Sequence, residues 1–341
     1  MRIVTLEEHF TIPALVRRID PAAIRRRGWP PPGERPPSMS HEAELADVGP
    51  ARIADMDASG ITVQVLSTAG PGADLVDGPE GVQLACDYND ALARTVAEHP
   101  DRYAGFTHLP MRAPDAAADE LERCVSTLGF RGAMIDGHTD GRFLDDPRFE
   151  PILARAERLG VPIYVHPNIP PEAVRNAYYD GLPGLTGFLL SSPGWGWHAE
   201  TAVHILRLVL SGTLDRHPGL KLIIGHMGEG LQSMLTRVDN VFGPNVQHLQ
   251  RPVSRTILDQ VWITTSGFFS RAPFLGALEA FGADRILFSV DYPFSPNARG
   301  RAFLDGLPVS DEDREKIAHG NADRLLGLVP GGSAVPNALA A

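Results

Sequence analysis

The sequence predicts a TIM-type (β/α)8 barrel. Two observations carry that reading: eight short β-branched or aromatic runs are each followed by a longer amphipathic segment, and the C-terminal ends of those runs gather His, Asp and Glu. A third observation argues against the main competitor, because a doubly wound sheet needs a glycine-rich phosphate loop after its first strand and LEEHFTIP is not one.

The expected strands are RIVTLEEHF (2–10), VQVLST (63–68), YAGFTHLP (103–110), GAMIDG (132–137), PIYVHP (162–167), KLIIGH (221–226), VWITTS (261–266) and RILFSVDYP (285–293). The expected helices are GVQLACDYNDALARTVAEH (81–99), AAADELERCVSTLG (116–129), DPRFEPILARAERLG (146–160), AETAVHILRLVLSG (199–212), LGALEAFG (275–282) and SDEDREKIAHGNADRLLG (310–327). Several have Asp or Ser near the start and Gly at the end, which are start and stop signals for helices. One barrel domain is expected over residues 1–328, with two excursions. Residues 20–50 are proline-rich, contain an RRR cluster and follow strand one on the C-terminal face. There they either cover the active site or form a solvated loop or subunit contact. Residues 168–198 are an aromatic-rich excursion after strand five that shapes the rim, and residues 329–341 read as a flexible tail.

Composition narrows the function classes. The 341-residue chain is 43% hydrophobic with a formal charge of −11, enough for a full core and unfavourable for a polyanionic partner such as nucleic acid or an anionic membrane. Cys86 and Cys124 are too few for a disulfide framework and suit a reducing compartment. No signal-peptide pattern and no bilayer-length apolar run is present, so a cytoplasmic protein is expected.

The opening LEEHF raises the question of chemistry. Strict alternation along an extended strand puts Ile3, Thr5, Glu7 and His9 on one face and Val4, Leu6, Glu8 and Phe10 on the other. Glu7 and His9 then form half of a metal site or a polar strand terminus. Further polar groups stand at other strand ends: His108, Asp136, His138, His166, His226 and Asp291. A divalent ion wants two to four N/O donors converging from several directions, and strands one, five, six and eight supply them around a barrel mouth. Taken singly, His166 and His226 read as satisfied strand-end histidines and Asp291 as a helix cap; taken jointly with EEH, they read as a metal site. Asp291 lies between LFSV and a YP turn, where a carboxylate can bind metal, move protons, or both. His108, Asp136 and His138 are expected as rim or supporting residues, and His41, His99, His217, His248 and His319 as solvent-facing. In GHMGEG (225–230), Glu229 lies near the first turn of the next helix. It either pairs with His226, which suits a proton shuttle, or merely favours the helix N-terminus.

Longer blocks carry a family resemblance. EEHF, RIADMDASGI (52–61), DGRFLDDPRFEPILARAERLGVPIYVHP (140–167), ETAVHILRLVLSGTLDRHPGLKLIIGHMGEG (200–230), ITTSG (263–267) and DRILFSVDYPF (284–294) resemble the amidohydrolase-related superfamily. The similarity is closest to its metal-dependent hydroxybenzoate decarboxylases, those of γ-resorcylate and 2,3-dihydroxybenzoate, with aminocarboxymuconate semialdehyde decarboxylase more distant. The resemblance implies one divalent ion, Zn²⁺ or Mn²⁺, held by Glu7, His9, His166 and Asp291, and no organic cofactor. It implies His226 and Glu229 as the catalytic pair beside the metal, with Asp291 as the proton donor. It also places Arg237 and Phe294 against the substrate, in a dry pocket with Phe10, Trp195 and Trp197. The partner implied is a small aromatic or cyclic carboxylate, and the assembly a homodimer or homotetramer. STAGPGA (67–73), Asn240 and PPPGERPP depart from the family pattern on substrate-facing loops, which points to a different substrate, such as a larger phenolic acid of secondary metabolism.

Three functions follow for testing. The first is a divalent-metal-dependent, non-oxidative decarboxylase of an ortho-hydroxylated aromatic acid. The second is a hydrolase of a lactone, ester or amide on the same scaffold, with metal-bound hydroxide as nucleophile. The third is a barrel without catalysis, which the complete ligand set argues against.

Overall fold

The computed structural model describes residues 1–31 and 33–328, so the expected flexible tail lies outside the described residues. Among the described residues there are nine strand segments: β1 (Val4–Phe10), β2 (Val63–Thr68), β3 (Tyr103–Gly105), β4 (Thr107–His108), β5 (Ala133–Asp136), β6 (Pro162–His166), β7 (Lys221–Ile224), β8 (Val261–Thr264) and β9 (Ile286–Leu287). Every neighbouring pair is parallel, β1 to β3 in one run and β4 to β9 in the other. The third expected strand is thus two pieces. Phe106 bridges them, its N–H donating to Leu66 O at 2.9 Å while the next N–H, of Thr107, turns to Gly132 O at 2.8 Å.

The last expected strand keeps regular pairing only through Leu287. Beyond it, side chains replace the ladder. Ser289 Oγ accepts the N–H of Leu6 at 3.2 Å and of Glu7 at 2.6 Å, and the Glu8 carboxylate accepts from Val290 and Tyr292. A parallel bridge between Glu8 and Tyr292, with His9 N–H donating to Tyr292 O at 2.8 Å, joins this segment to β1 and completes the ring.

The Ser289 contact coincides with a correction to strict alternation. Val4 pairs with Val63 and Thr5 with Gln64, but Glu8 pairs with Leu66 and His9 with Ser67, so β1 carries one extra residue in a bulge between Thr5 and Glu8. The bulge shifts the facing pattern by one. Val4 and Leu6 pack with Val65, Phe106, Met134, Tyr164, Ile223 and Leu287 in the inner core, and Glu7 and His9 continue on that same face. Phe10 faces outward with Ile3 and Leu66 into the layer between strands and helices.

The helices Gly78–Glu98, Pro114–Ser126, Glu150–Leu159, Gly196–Leu210 and Arg271–Phe281 occupy expected positions. The segment expected as one helix over 310–327 is broken into Asp311–Glu315, a π-turn Lys316–Gly320 and Asn321–Leu326. The first excursion is less irregular than its prolines suggest. Asp20 caps the helix Pro21–Arg27, Gly28 ends it at φ +101°, and a turn Pro37–Met39 and a helix Glu42–Ala46 follow. Among the described residues, no helix is long and apolar enough to cross a membrane.

Candidate metal centre

Four side chains meet where β1, β6 and the segment after β9 end. Glu7 Oε1 lies 3.2 Å from His166 Nε2, and His9 Nε2 lies 3.4 Å from Asp291 Oδ1. One ligand atom from each of Glu7, His9, His166 and Asp291 falls within 4.8 Å of the others. The far side of three of the four donors meets a separate contact. Tyr164 Oη donates to Glu7 Oε2, Ser67 Oγ lies 3.3 Å from His9 Nδ1, and Asp136 Oδ1 lies 3.3 Å from His166 Nδ1. Such contacts fix the orientation of metal-binding side chains.

The near side is left unsatisfied. Glu7 Oε1 and His9 Nε2 are buried with no hydrogen-bond partner. Buried polar atoms without partners are costly, and two that converge beside a carboxylate and an imidazole match the donor set of a borderline divalent ion. The residues therefore fit the implied metal. The backbone packs tightly behind Glu7, since a Cβ added to Gly225 would lie 2.6 Å from Glu7 Oε2.

The electrostatics agree. Burial alone would raise the Glu7 carboxyl, but His226, His166 and His9 hold it well below the usual carboxylate range. Burial would lower His166, yet Asp136 and Glu7 push it up to about 10. The carboxylates and imidazoles of the cluster thus favour one another's charged forms.

A second group adjoins the first. His226 Nε2 lies 3.4 Å from Glu7 Oε1 and 3.9 Å from Asp291 Oδ2, and its Nδ1 lies 2.8 Å from Glu229 Oε1. Glu229 Oε2 continues to His198 Nδ1 at 2.6 Å. The chain of contacts runs from Asp291 through His226 and Glu229 to His198. No helix starts at Glu229, contrary to the sequence expectation. His226–Gly228 is a tight turn with His226, Met227 and Glu229 at φ of +49°, +59° and +55°, and the next α-helix is Leu235–Phe242. Glu229 is aimed by this strained turn at two imidazoles rather than at a helix end.

His198 escaped the sequence reading. It closes the aromatic GWGWH stretch, and only the fold brings that excursion over β7. Other expectations change as well. Arg237 is exposed on the helix Leu235–Phe242 and does not line the cavity, because that helix turns the residue outward beside buried Leu235 and Val238. Phe10 is in the outer layer on account of the β1 bulge, and Trp195 is 61% exposed, so neither joins the pocket. Phe294 does, with its ring 5.7 Å from that of His9. His41, expected in solvent, packs its ring 5.6 Å from Phe294. His217 is buried because it ties Glu150 at 2.7 Å and Glu157 at 2.8 Å. Asp136 supports His166, and His108 accepts the Ala73 N–H at 2.8 Å.

Above the four donors opens a cavity of about 440 Å³. Its walls combine Trp197, Phe268 and Phe294 with Trp29, Arg35 and Met39 of the first excursion. An amidohydrolase family profile matches residues 19–328. The chain belongs to the amidohydrolase family. This amidohydrolase is 39% identical to a γ-resorcylate decarboxylase of Rhizobium sp. (strain MTP-10005) over 337 residues, covering 95% of this chain and 98% of that protein. Its fold is similar to that of a 2,6-dihydroxybenzoate decarboxylase solved with 2,6-dihydroxybenzoate, at a TM-score of 0.85 and 36% identity over 96% of this chain and 100% of the other. It is also similar to a dihydroxybenzoic acid decarboxylase from Polaromonas sp. JS666 solved with manganese and 2-nitroresorcinol. That match has a TM-score of 0.85 and 34% identity over 96% of this chain and 97% of the other.

Proposed function

We propose that this amidohydrolase is a divalent-metal-dependent, non-oxidative decarboxylase of an ortho-hydroxylated aromatic carboxylic acid, with manganese or zinc held by Glu7, His9, His166 and Asp291. The observation that carries the reading is the pair of buried, unpartnered atoms Glu7 Oε1 and His9 Nε2 converging beside Asp291 under an aromatic-walled cavity. Decarboxylases that match this chain over nearly its full length favour carbon–carbon cleavage over hydrolysis.

The ion, when bound, supplies positive charge that orients the substrate carboxylate and ortho hydroxyl and offsets their negative charge. Asp291 delivers a proton to the ring carbon that bears the carboxylate. The carbon–carbon bond then breaks, its electron pair restores the aromatic ring, and CO₂ leaves, so each turnover consumes one proton. His226, backed by Glu229 and His198, returns a proton to Asp291. Trp197, Phe268 and Phe294 keep water from the ring and strengthen the electrostatics below it. On the second excursion, exposed Tyr178, Leu182, Leu185 and Trp195 support the homo-oligomer expected from the sequence, which sedimentation velocity measures.

The test is reconstitution with Mn²⁺ and, separately, Zn²⁺, followed by assay on hydroxybenzoates and aryl lactones with CO₂ and product mass recorded together. Loss of CO₂ from an ortho-hydroxy acid is expected. Gain of water by a lactone with no CO₂ from any acid would make the chain a hydrolase.

A further inference from the structure

The face of the barrel opposite the metal centre holds cations without anionic partners. Arg131 stands two residues before β5, Lys221 is the first residue of β7, Arg285 immediately precedes β9, and Arg324 lies on the helix Asn321–Leu326. Strand starts share the N-terminal face of a barrel, so these side chains gather at its base. Among the described residues, none of the four lies within the 4.0 Å of an ion pair. Lys221 Nζ donates to Gly160 O at 3.0 Å and Arg324 Nη2 to Asn321 Oδ1 at 2.6 Å, both neutral acceptors. Arg285 Nη1 is buried with no hydrogen-bond partner, its guanidinium carbon 3.9 Å from the centre of the Trp262 ring. Acidic residues outnumber lysine and arginine in this chain of formal charge −11, so composition does not force four bases to stay unpaired on one face.

Two hollows of about 330 Å³ and 320 Å³ open between these cations. Arg131 lines the first with Phe130 and Leu326, Arg285 lines the second with Trp262, and Lys221, Arg324 and Leu325 line both. Among the described residues the walls carry a single acid, Asp284, and Lys316 Nζ lies 3.4 Å from it. Burial lowers the Arg131 guanidinium below its ordinary pKa with no carboxylate to counter it, and at Arg285 burial outweighs Asp259 and Asp284. A cation drawn partly out of water favours any anion that restores its lost interactions.

We propose that the base of the barrel binds a small organic molecule with two anionic groups, phosphate or carboxylate. One group lies by Arg131 in the first hollow and the other by Arg285 in the second, with Lys221 and Arg324 between them. Guanidinium forks fit both kinds of oxyanion, and the lysine adds a compact charge. Each hollow stands at the lower end of the roughly 300–1,000 Å³ typical of ligand sites, which suits a metabolite that spans the two. The site is separate from the metal centre, because β7 runs from Lys221 to Ile224 before the chain reaches His226. It therefore stands whether the enzyme is a decarboxylase or a hydrolase.

The experiment is calorimetry on the Mn²⁺-loaded protein at about 0.15 M salt, where exposed charges are largely screened. The probes are fructose 1,6-bisphosphate, succinate, inorganic phosphate and uncharged fructose. Arg131→Gln and Arg324→Gln test the groove, and Arg17→Gln removes the same charge from an exposed position elsewhere. Thermal melts without ligand check that each variant is folded, and exposed Arg324 carries the test if Arg131→Gln is not. At least one of the two dianions is expected to bind, one molecule per chain, more tightly than inorganic phosphate. Which of them binds decides between phosphate and carboxylate. Affinity should fall roughly 10- to 100-fold in Arg131→Gln, less in Arg324→Gln, and stay unchanged in Arg17→Gln. Inorganic phosphate binding as well as both dianions would overturn the assignment, as would no binding of either. Binding unmoved in both groove variants would place the anion elsewhere, and an equal loss in Arg17→Gln would reduce the effect to net charge.

Discussion

Glu8 holds the backbone on both sides of Asp291, its carboxylate accepting the N–H of Val290 at 2.9 Å and of Tyr292 at 3.1 Å. Asp291 between them sits at φ +72°, a left-handed conformation that costs a non-glycine residue about 1–2 kcal/mol. The clamp keeps Asp291, the proposed proton donor, in that conformation and joins the last strand to the first. Glu8→Ala leaves both N–H groups without an acceptor and is expected to lower stability by about 2–5 kcal/mol, with turnover lost. Glu8→Gln keeps one acceptor oxygen and should lose less. Urea unfolding checks the order, and a wild-type midpoint for Glu8→Ala would remove the clamp.

Asp291→Asn separates chemistry from geometry. Asparagine tolerates the left-handed region as aspartate does, so the backbone at φ +72° can stay in place. An amide cannot hand over the proton. Turnover is expected to fall by at least roughly 100-fold while far-UV circular dichroism is retained. A variant that still releases CO₂ at the wild-type rate would take the proton transfer away from Asp291.

His198 touches Glu229 at 2.6 Å and, among the described residues, makes no hydrogen bond or ion pair with the four donors, so its proposed role is to position the His226–Glu229 pair. His198→Asn is expected to slow turnover roughly 10- to 100-fold and to shift its pH profile, with bound metal unchanged by elemental analysis. His226→Ala should likewise lower turnover more than metal content. Loss of the ion in His198→Asn would place His198 in the metal's own support instead.

The four convergent donors were legible because a barrel sends the C-terminal ends of all its strands to one face, so Glu7, His9, His166 and Asp291 needed only correct strand placement. What stayed hidden depends on partners distant in sequence. At the β1 bulge Ser289 accepts the N–H groups of Leu6 and Glu7, and no pattern within LEEHF announces a serine near the other end of the chain. His217 looked like a solvated loop residue until Glu150 and Glu157 of another element closed around it. Arg237 shows the converse: a motif match located its helix, and the helix face then decided against the pocket.

His204 supplies a stability prediction away from the metal. It is buried, its Nε2 accepts the Leu144 N–H at 2.9 Å, and burial holds its pKa down to about 3. The unfolded chain takes up the proton near the ordinary value of about 6.5, whereas the folded chain refuses it until about pH 3. Stability contributed by the neutral imidazole is therefore complete above about pH 6.5 and is lost as the pH falls through that window, by up to about 1.4 kcal/mol per pH unit. His204→Gln keeps an acceptor oxygen for Leu144 and removes the titration. Its stability should decline less steeply with acid, by one proton's slope, in urea unfolding series between about pH 7 and pH 4. Parallel declines for the two proteins would mean that His204 takes up its proton in the folded state as readily as in the unfolded one.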